Sequence, residues 1–201
     1  MTTDALFDQL KHPNPHLRQR AMIELAETQA PGTIEKLLAN LGEADVTYRR
    51  ASVKALGMMG REAVPPVAQL LTDSDDVTIR SSCAKALAQY AVNYSDETFP
   101  QAGLDALKVA VIDENPVVHI ASAMALGEVG PAALDIVAGT LETTENLSLA
   151  VSLTNALAAI GTPEAAAKLK AVAEDETADS YVRQSAKSAV SRIDLVGQYS
   201  R

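Results

Sequence analysis

The chain has 201 residues, of which 47% are hydrophobic, so it is long enough to form a continuous core. It carries 17 basic and 26 acidic residues, and its net charge of −9 would repel a polyanion. No basic stripe and no RNA-reading aromatic motif occurs in the sequence, so we expect no nucleic-acid ligand. The absence of Trp favours helices that pack closely through small residues. The single Cys favours a reducing compartment.

The N-terminal residues MTTDALFDQLKH contain two Asp and no basic stretch before an apolar run, so we predict no signal peptide. The segment TDALFDQL within them resembles the second helix of a helical hairpin. The longest uncharged tract, residues 146–163, is interrupted by Asn, Ser, Thr and Gly, and we predict no membrane span. These features predict a cytoplasmic protein.

Six segments repeat one pattern, which NPHLRQRAMIELA and DVTYRRASVKALG illustrate. Each begins with Asn or Asp, whose side chain can accept a hydrogen bond from the free N–H groups of a first helical turn. An aliphatic residue follows eleven positions later in every copy, at a spacing that suits an amphipathic helix. The predicted N-caps are Asn14, Asp45, Asp76, Asn115, Asn146 and Asp179.

A second helical pattern lies between the copies. Gly60, Gly130 and Gly161 occupy one repeat position after the first helix, where a left-handed residue can end it. Segments such as AVPPVAQLL and PAALDIVAGTL then supply a partner helix. Because a period near 31 residues with one hairpin per unit is typical of stacked repeats, we predict an all-α fold, an α-solenoid of about five HEAT-like hairpins plus terminal half-repeats. We expect residues 1–201 to form a single repeat domain.

The repeat pattern [DN]-[PVLS]-x-[VIL]-R-x-x-A-x-x-A-L-[GA]-x-[IMV]-G resembles the short HEAT-like repeats of phycobilisome lyases and their relatives, and it covers nearly the whole chain. DENPVVHIASAMALGEVG and DSDDVTIRSSCAKALAQYAVNY look similar to cyanobacterial members, one kind of which partners an A-type iron–sulfur carrier. The resemblance implies a protein partner, which would be an iron–sulfur carrier, a pigment-synthesis enzyme or a phycobiliprotein.

Arginines stand four residues after four of the predicted caps. We expect each to pair with the acidic connection of a neighbouring repeat and so to fix the stacking of the hairpins. His119 and Ala150 interrupt this ladder in a region, residues 101–167, that has eight acidic residues and a single basic one, so the interface there is predicted to be looser or otherwise used. The ladder residues are Arg18, Arg49, Arg80 and Arg183.

The interval from Asp76 to Asn115 is 39 residues instead of 31, and the excess follows Tyr90. We predict that the first helix continues towards Tyr94 and that a loop then runs to the second helix. One interpretation is that the three aromatic residues of the insertion fold it back onto its own hairpin, with Tyr90 buried. The other is that Tyr94 and Phe99 form a partner-binding surface, because aromatic residues are enriched in interface hot spots.

The histidines and the single cysteine are the residues to consider as catalytic groups or metal ligands. His12 and His16 are four residues apart, but the prolines around them preclude the regular helix that would align them as metal ligands. Cys83 occupies a repeat position that elsewhere holds Ala21, Ser52, Ser122 or another packed residue, so we interpret it as a small core residue instead of a nucleophile or cluster ligand. We therefore predict no catalytic, cofactor-binding or metal-binding residues.

Two functions remain open. The first is a non-enzymatic scaffold or adaptor in a photosynthetic cell, since stacked hairpins present a long preformed surface. The second, which the resemblance alone implies, is a bilin lyase subunit or chromophore-handling factor. Whether the chain is an enzyme stays open at this point, although a binding role is favoured.

Overall fold

A computed structural model describes the backbone of residues 1–199 and the side chains through residue 193. Every regular element in this part is helical, as the repeat pattern predicted, and the fold is an α-solenoid of HEAT-like hairpins. The helices group into two compact units, Met1–Ala110 and Val111–Arg201. The single-domain boundary stays a prediction, and the two units are described separately.

The N-terminal unit contains seven α-helices. First helices α2, α4 and α6 pack side by side, while α1 packs on α2, α3 on α4, and α5 on both α6 and α7. The short α3 continues into a 3-10 turn at Asn40–Gly42, and another precedes α5. The bounds are α1 Thr3–Gln9, α2 Pro15–Thr28, α3 Thr33–Ala39, α4 Val46–Met58, α5 Val64–Asp73, α6 Val77–Asn93 and α7 Gln101–Ala110.

The C-terminal unit contains five α-helices. Helix α10 packs against the first helices α8 and α12 and also contacts the second helices α9 and α11, and α11 packs on α12. A 3-10 turn at Gly130–Ala133 joins α8 to α9. The bounds are α8 Pro116–Val129, α9 Leu134–Thr143, α10 Leu147–Ile160, α11 Pro163–Glu174 and α12 Ser180–Tyr199.

All six predicted N-caps are confirmed. In each case the Asn or Asp side chain accepts a hydrogen bond from the first turn of the helix; Asp76 Oδ1, for example, accepts from the N–H groups of Thr78 and Ile79. The caps fix where each first helix begins, and so the repeats stay in register. The capped helices are α2, α4, α6, α8, α10 and α12.

Glycines act in two ways. Gly161 ends α10 in the left-handed conformation with φ of 66°, as the repeat position predicted. Gly60 and Gly130 at the same repeat position also have positive φ, 84° and 78°, but their ψ angles of −168° and −143° lie outside the left-handed helical region. Gly127 instead allows close packing, because an added Cβ would lie 3.2 Å from the Cα of Ala156 on the neighbouring α10. The repeats therefore stack through backbone that comes nearly into contact.

Residues Pro116–Thr143 are long and apolar enough to cross a membrane by composition alone, with mean hydropathy 1.4. The segment is not one continuous helix, since Gly130 has φ of 78° and a 3-10 turn separates α8 from α9. Half of its most apolar 18-residue stretch is buried inside the protein. These helices serve as core helices of the C-terminal unit.

Candidate functional site

Three members of the arginine ladder contact backbone carbonyls of the connection that precedes their helix. The fourth, Arg183 on α12, has an Nε atom buried without a hydrogen-bond partner among the described residues. It lies near Asp175, whose pKa is lowered by hydrogen bonds from Thr177 and also by the charge of Arg183. Arg18 Nη1 donates to the carbonyl oxygens of His12 and Pro13 at 2.6 and 2.8 Å. Arg49 makes the equivalent contact with Glu43 O, and Arg80 Nη1 donates to Ser74 O at 3.1 Å. In each case the guanidinium reaches back six residues and ties the connection to the helix. Pairing of these arginines with acidic side chains of a neighbouring repeat stays a prediction.

The fourth repeat keeps this contact with a different side chain. His119 is 2% exposed, and its Nδ1 lies 3.1 Å from the carbonyl oxygen of Asp113, again six residues earlier. Its Nε2 is buried without a hydrogen-bond partner among the described residues. The histidine that seemed to interrupt the ladder therefore takes the place of the arginine.

The fifth repeat lacks the contact, because Ala150 occupies the arginine position on α10. A cavity of about 580 Å³ opens there, and both Ala150 and Thr144, six residues earlier, lie on its wall. The volume is in the range of sites that hold small molecules or the side chains of a partner. The sequence signal for this cavity was the break in the ladder; its size could not be read from the sequence.

The rim of this cavity, which we call the acidic cavity, carries four carboxylates and one ammonium group. Lys168 Nζ lies 2.8 Å from Glu142 Oε1, and this hydrogen bond raises the pKa of Lys168. Asp175 accepts hydrogen bonds from the hydroxyl and the N–H of Thr177, which lower the pKa of its carboxyl group. The rim residues are Glu142, Glu145, Lys168, Asp175 and Asp179.

A smaller depression of about 300 Å³ lies between α2 and α4 in the N-terminal unit. Its charged lining residues are all basic, namely Arg18, Arg50 and Lys54, and we call it the basic groove. Burial and, after it, the nearby charges of Arg49 and Arg50 lower the pKa of Lys85, so Lys85 also lies close to these arginines. The sequence analysis did not identify this groove: Arg50 and Lys54 are four residues apart on α4 but belong to no repeat signature, and Arg18 of α2 comes close to them only through the packing of the two helices.

The aromatic insertion in the N-terminal unit forms a compact cluster. Helix α6 continues to Asn93, and Tyr90 is buried at 2% exposure, as predicted. The Tyr90 ring stacks on Tyr94 with centroids 4.8 Å apart and meets Phe99 edge-on at 5.7 Å. The Tyr94 hydroxyl donates to Met58 O at 2.8 Å. These contacts hold the insertion against the end of α4.

Tyr94 and Phe99 are only partly buried in this cluster. Tyr90 also donates from its hydroxyl to Glu97 Oε2 at 3.3 Å, and Arg61 Nη1 donates to Thr98 O at 3.2 Å. The loop between the aromatic residues is thus tied down on both sides. Partner binding by the exposed edges of Tyr94 and Phe99 stays a prediction.

Cys83 is fully buried, and burial raises the pKa of its thiol to about 12. A thiol that stays protonated is a poor nucleophile and a poor metal ligand. Within the part of the chain that the structure describes, no group of three or more His, Cys, Asp or Glu side chains could hold a metal ion.

The exposed faces of α8 and α10 are nearly free of charge. Helix α10 has no charged residue, and the exposed side of α8 presents Val117, Met124 and the terminal Glu128. Val117 and Met124 are 51% and 64% exposed, and Leu147 on α10 is 50% exposed.

The sequence of the chain matches a known protein family. The family description "HEAT repeats" matches residues 3–97 and 100–191. The chain belongs to the HEAT-repeat family. It is 46% identical, over the full length of both proteins, to the uncharacterized phycocyanin operon protein Z of Pseudanabaena tenuis strain PCC 7409. It is also 37% identical over 107 residues to the bilin biosynthesis protein CpeZ of Synechococcus sp. strain WH8020, covering 53% of this chain and 58% of CpeZ.

A solved structure shows the same fold. The complex of CpcE and CpcF of phycocyanin lyase from Nostoc sp. PCC7120 contains a chain that matches 77% of this protein and 96% of its own length, with TM-score 0.52 and 15% identity. At this identity the match concerns the fold alone. The resemblance to phycobilisome-lyase repeats is confirmed, and the iron–sulfur carrier stays a predicted partner.

Proposed function

We propose that this HEAT-repeat protein is a chromophore-handling factor that assists bilin delivery to a phycobiliprotein by binding a protein partner. The observation that carries the proposal is the 46% identity over the full chain to a phycocyanin operon protein, together with the match to a bilin biosynthesis protein. In this role the protein acts by binding, as a scaffold, and the partner is a phycobiliprotein or a pigment-synthesis enzyme.

The geometry supports binding in two ways. Stacked hairpins with capped, register-fixed helices form a preformed surface that loses little entropy when a partner binds. The basic groove offers Arg50 and Lys54 close together, and guanidinium and ammonium groups are the usual partners of carboxylates. Since an open-chain tetrapyrrole carries propionate groups, the groove is a suitable place for the anionic edge of a bilin.

Co-expression tests the proposal. The acceptor phycobiliprotein is produced with a bilin-synthesis system, with and without this protein, and covalently bound pigment is measured by visible absorbance after denaturation. We expect the pigment yield per acceptor to rise at least about threefold when the protein is present. An unchanged yield and spectrum in the presence of folded protein would contradict a chromophore-handling role.

The groove is tested by direct bilin titration. The double variant Arg50→Ala with Lys54→Ala removes two basic groups from the groove, and we expect its bilin affinity to fall about tenfold, or roughly 1.4 kcal/mol. The matched control is Lys170→Ala with Lys187→Ala, which removes the same charge from exposed positions of the C-terminal unit. Equal affinities of the two double variants would show that the groove does not bind the pigment.

Affinity capture from the native host identifies the protein partner. We expect a phycobiliprotein subunit or a pigment-synthesis enzyme to be enriched with the tagged protein. Recovery of an A-type iron–sulfur carrier alone, with no antenna or pigment-synthesis protein, would instead support the scaffold function that the sequence left open.

A further inference from the structure

The acidic cavity lies where the repeat pattern lacks its basic residue. In the first three repeats an arginine donates to a carbonyl six residues earlier, and in the fourth His119 contacts the carbonyl of Asp113. In the fifth repeat the same position is Ala150, whose side chain ends at Cβ, and the matching position is Thr144. Both residues line the cavity, so the space that a guanidinium fills elsewhere is open here.

The charge around this space suits a cation. Asp179 caps α12 by accepting from Tyr181 N at 2.8 Å, and Asp175 is bonded to Thr177. Glu142 is paired with Lys168. Among contacts within the described part of the chain, the Glu145 carboxylate has no hydrogen bond or ion pair. After the hydrogen bonds from Thr177, the charge of Arg183 also acts on Asp175 and lowers the pKa of its carboxyl group. The rim therefore keeps one carboxylate, Glu145, without such a partner, and its four carboxylates still outnumber the nearby cationic groups Lys168 and Arg183.

The floor of the cavity is apolar. Leu141, Leu157, Val172 and Val182 line it below the charged rim. Long basic side chains bury their methylene groups against such surfaces while the charged end stays near polar groups. A site with an aliphatic floor and a carboxylate rim matches both parts of an arginine or lysine side chain.

We propose that the acidic cavity receives an arginine side chain from the protein partner, which takes the position that the ladder arginine holds in the earlier repeats. This inference rests on the proposed function in requiring a protein partner, but it does not depend on the pigment. Its guanidinium would lie near Glu145 and the carbonyl of Thr144, and its methylene groups would pack on the apolar floor. Arginine is favoured over lysine because its planar donors suit a carbonyl and a carboxylate together.

The rim charge also distinguishes this occupant from an anion. Four carboxylates against one ammonium group repel the propionates of a bilin, whereas they attract a guanidinium. The acidic cavity is therefore assigned to the protein partner, while the basic groove of the other unit is assigned to the pigment.

The first test uses a small probe. Nα-acetyl-L-arginine amide is titrated into ¹⁵N-labelled protein, and backbone amide shifts are followed by NMR. We expect saturable shifts at Glu145, Leu147 and Ala178. The control is Nα-acetyl-L-citrulline amide, which has nearly the same shape without the charge and should bind at least about fivefold more weakly. Equal binding of the two probes, or shifts away from the cavity, would overturn the proposal.

The second test refills the cavity from within the chain. Ala150→Arg restores the ladder residue and should abolish the arginine-probe shifts while the protein stays folded. The matched control, Ser148→Arg, adds the same charge at an exposed position two residues away on α10. A second variant, Glu145→Gln, changes only the exposed rim and should weaken the probe at least about threefold. If Ala150→Arg and Glu145→Gln both bind the arginine probe as tightly as the wild type, the assignment of the acidic cavity as an arginine site is wrong.

The same variants separate this inference from the proposed function. If Ala150→Arg and Ser148→Arg support pigment attachment equally and bind the captured partner equally, the cavity inference fails and the proposed function stands. If the cavity binds the arginine probe but the wild-type protein leaves pigment attachment unchanged, the proposed function fails and the cavity remains an arginine site. The inference is supported when Ala150→Arg alone loses the partner.

Discussion

The basic groove of the N-terminal unit and the acidic cavity of the C-terminal unit are built on different copies of the same repeat pattern. In the groove, Arg50 and Lys54 project from α4 beside α2, and in the cavity Ala150 leaves the ladder position of α10 open. The capped helices and their packing are maintained in both units. This comparison shows that a few substitutions on a constant repeat scaffold can produce two concavities lined by opposite charges.

The units also differ in how they handle the ends of their helices. The N-terminal unit ties its connections with guanidinium groups and holds its insertion with an aromatic cluster. The C-terminal unit has His119, Ala150 and Arg183 at its three ladder positions, and an uncharged α10. We infer that side chains hold the N-terminal connections in place, whereas the connection before α10, which lacks such a side chain at Ala150, leaves space for a partner.

The largest expected effect concerns Tyr90. Tyr90→Ala removes a buried ring that contacts both Tyr94 and Phe99, so we expect the free energy of unfolding to fall by about 3 kcal/mol or more. The control is Tyr181→Ala in the C-terminal unit, where the side chain is 67% exposed and the change should stay within about 0.5 kcal/mol. Chemical denaturation measures both. Similar small losses would show that the aromatic cluster does not stabilise the N-terminal unit.

The sequence predicted the repeated helices on which both concavities are built. Asx caps and helix-ending glycines act through local hydrogen bonds and backbone angles, so Asp76 and Gly161 could be assigned from the sequence. The role of His119 was not predicted, because its side chain contacts the backbone carbonyl of Asp113, and every residue type has such a carbonyl. The basic groove depends on two helices meeting, and such contacts between distant residues are not encoded in local spacing.

The next effect concerns the exposed edges of the aromatic cluster. The double change Tyr94→Ala with Phe99→Ala should lower affinity for the captured partner about tenfold, or roughly 1.4 kcal/mol, if these partly buried rings contact it. Val92→Ala is the control, since Val92 is 52% exposed near the end of α6, two residues before Tyr94. Binding and melting temperature are measured together. Unchanged affinity with a lower melting temperature would assign Tyr94 and Phe99 to the insertion alone.

A smaller effect is expected for the ladder. Arg49→Ala removes the donor to Glu43 O, and because the side chain is partly exposed, we expect a loss of about 1 kcal/mol of stability. Arg50→Ala changes the adjacent, exposed arginine and should have less effect on stability. Thermal denaturation compares the two. A drop in partner affinity for Arg49→Ala with no change in melting temperature would show that the ladder serves binding instead of structure.

The smallest effect at neutral pH concerns Cys83, which lies in the core of the N-terminal unit. Alanine already occupies the equivalent position at Ala21, so Cys83→Ala should change stability by less than about 1 kcal/mol near pH 7. Burial raises the thiol pKa from 9.0 to about 12, so the folded state favours the protonated form. The stability that this preference provides is complete below pH 9 and is lost as the pH rises towards 12. The stability difference between wild type and Cys83→Ala should therefore shift against the wild type across that window, and native Cys83 should react slowly with a thiol reagent at pH 8. Rapid labelling of the folded protein would contradict the core assignment and make this thiol a candidate for chemistry.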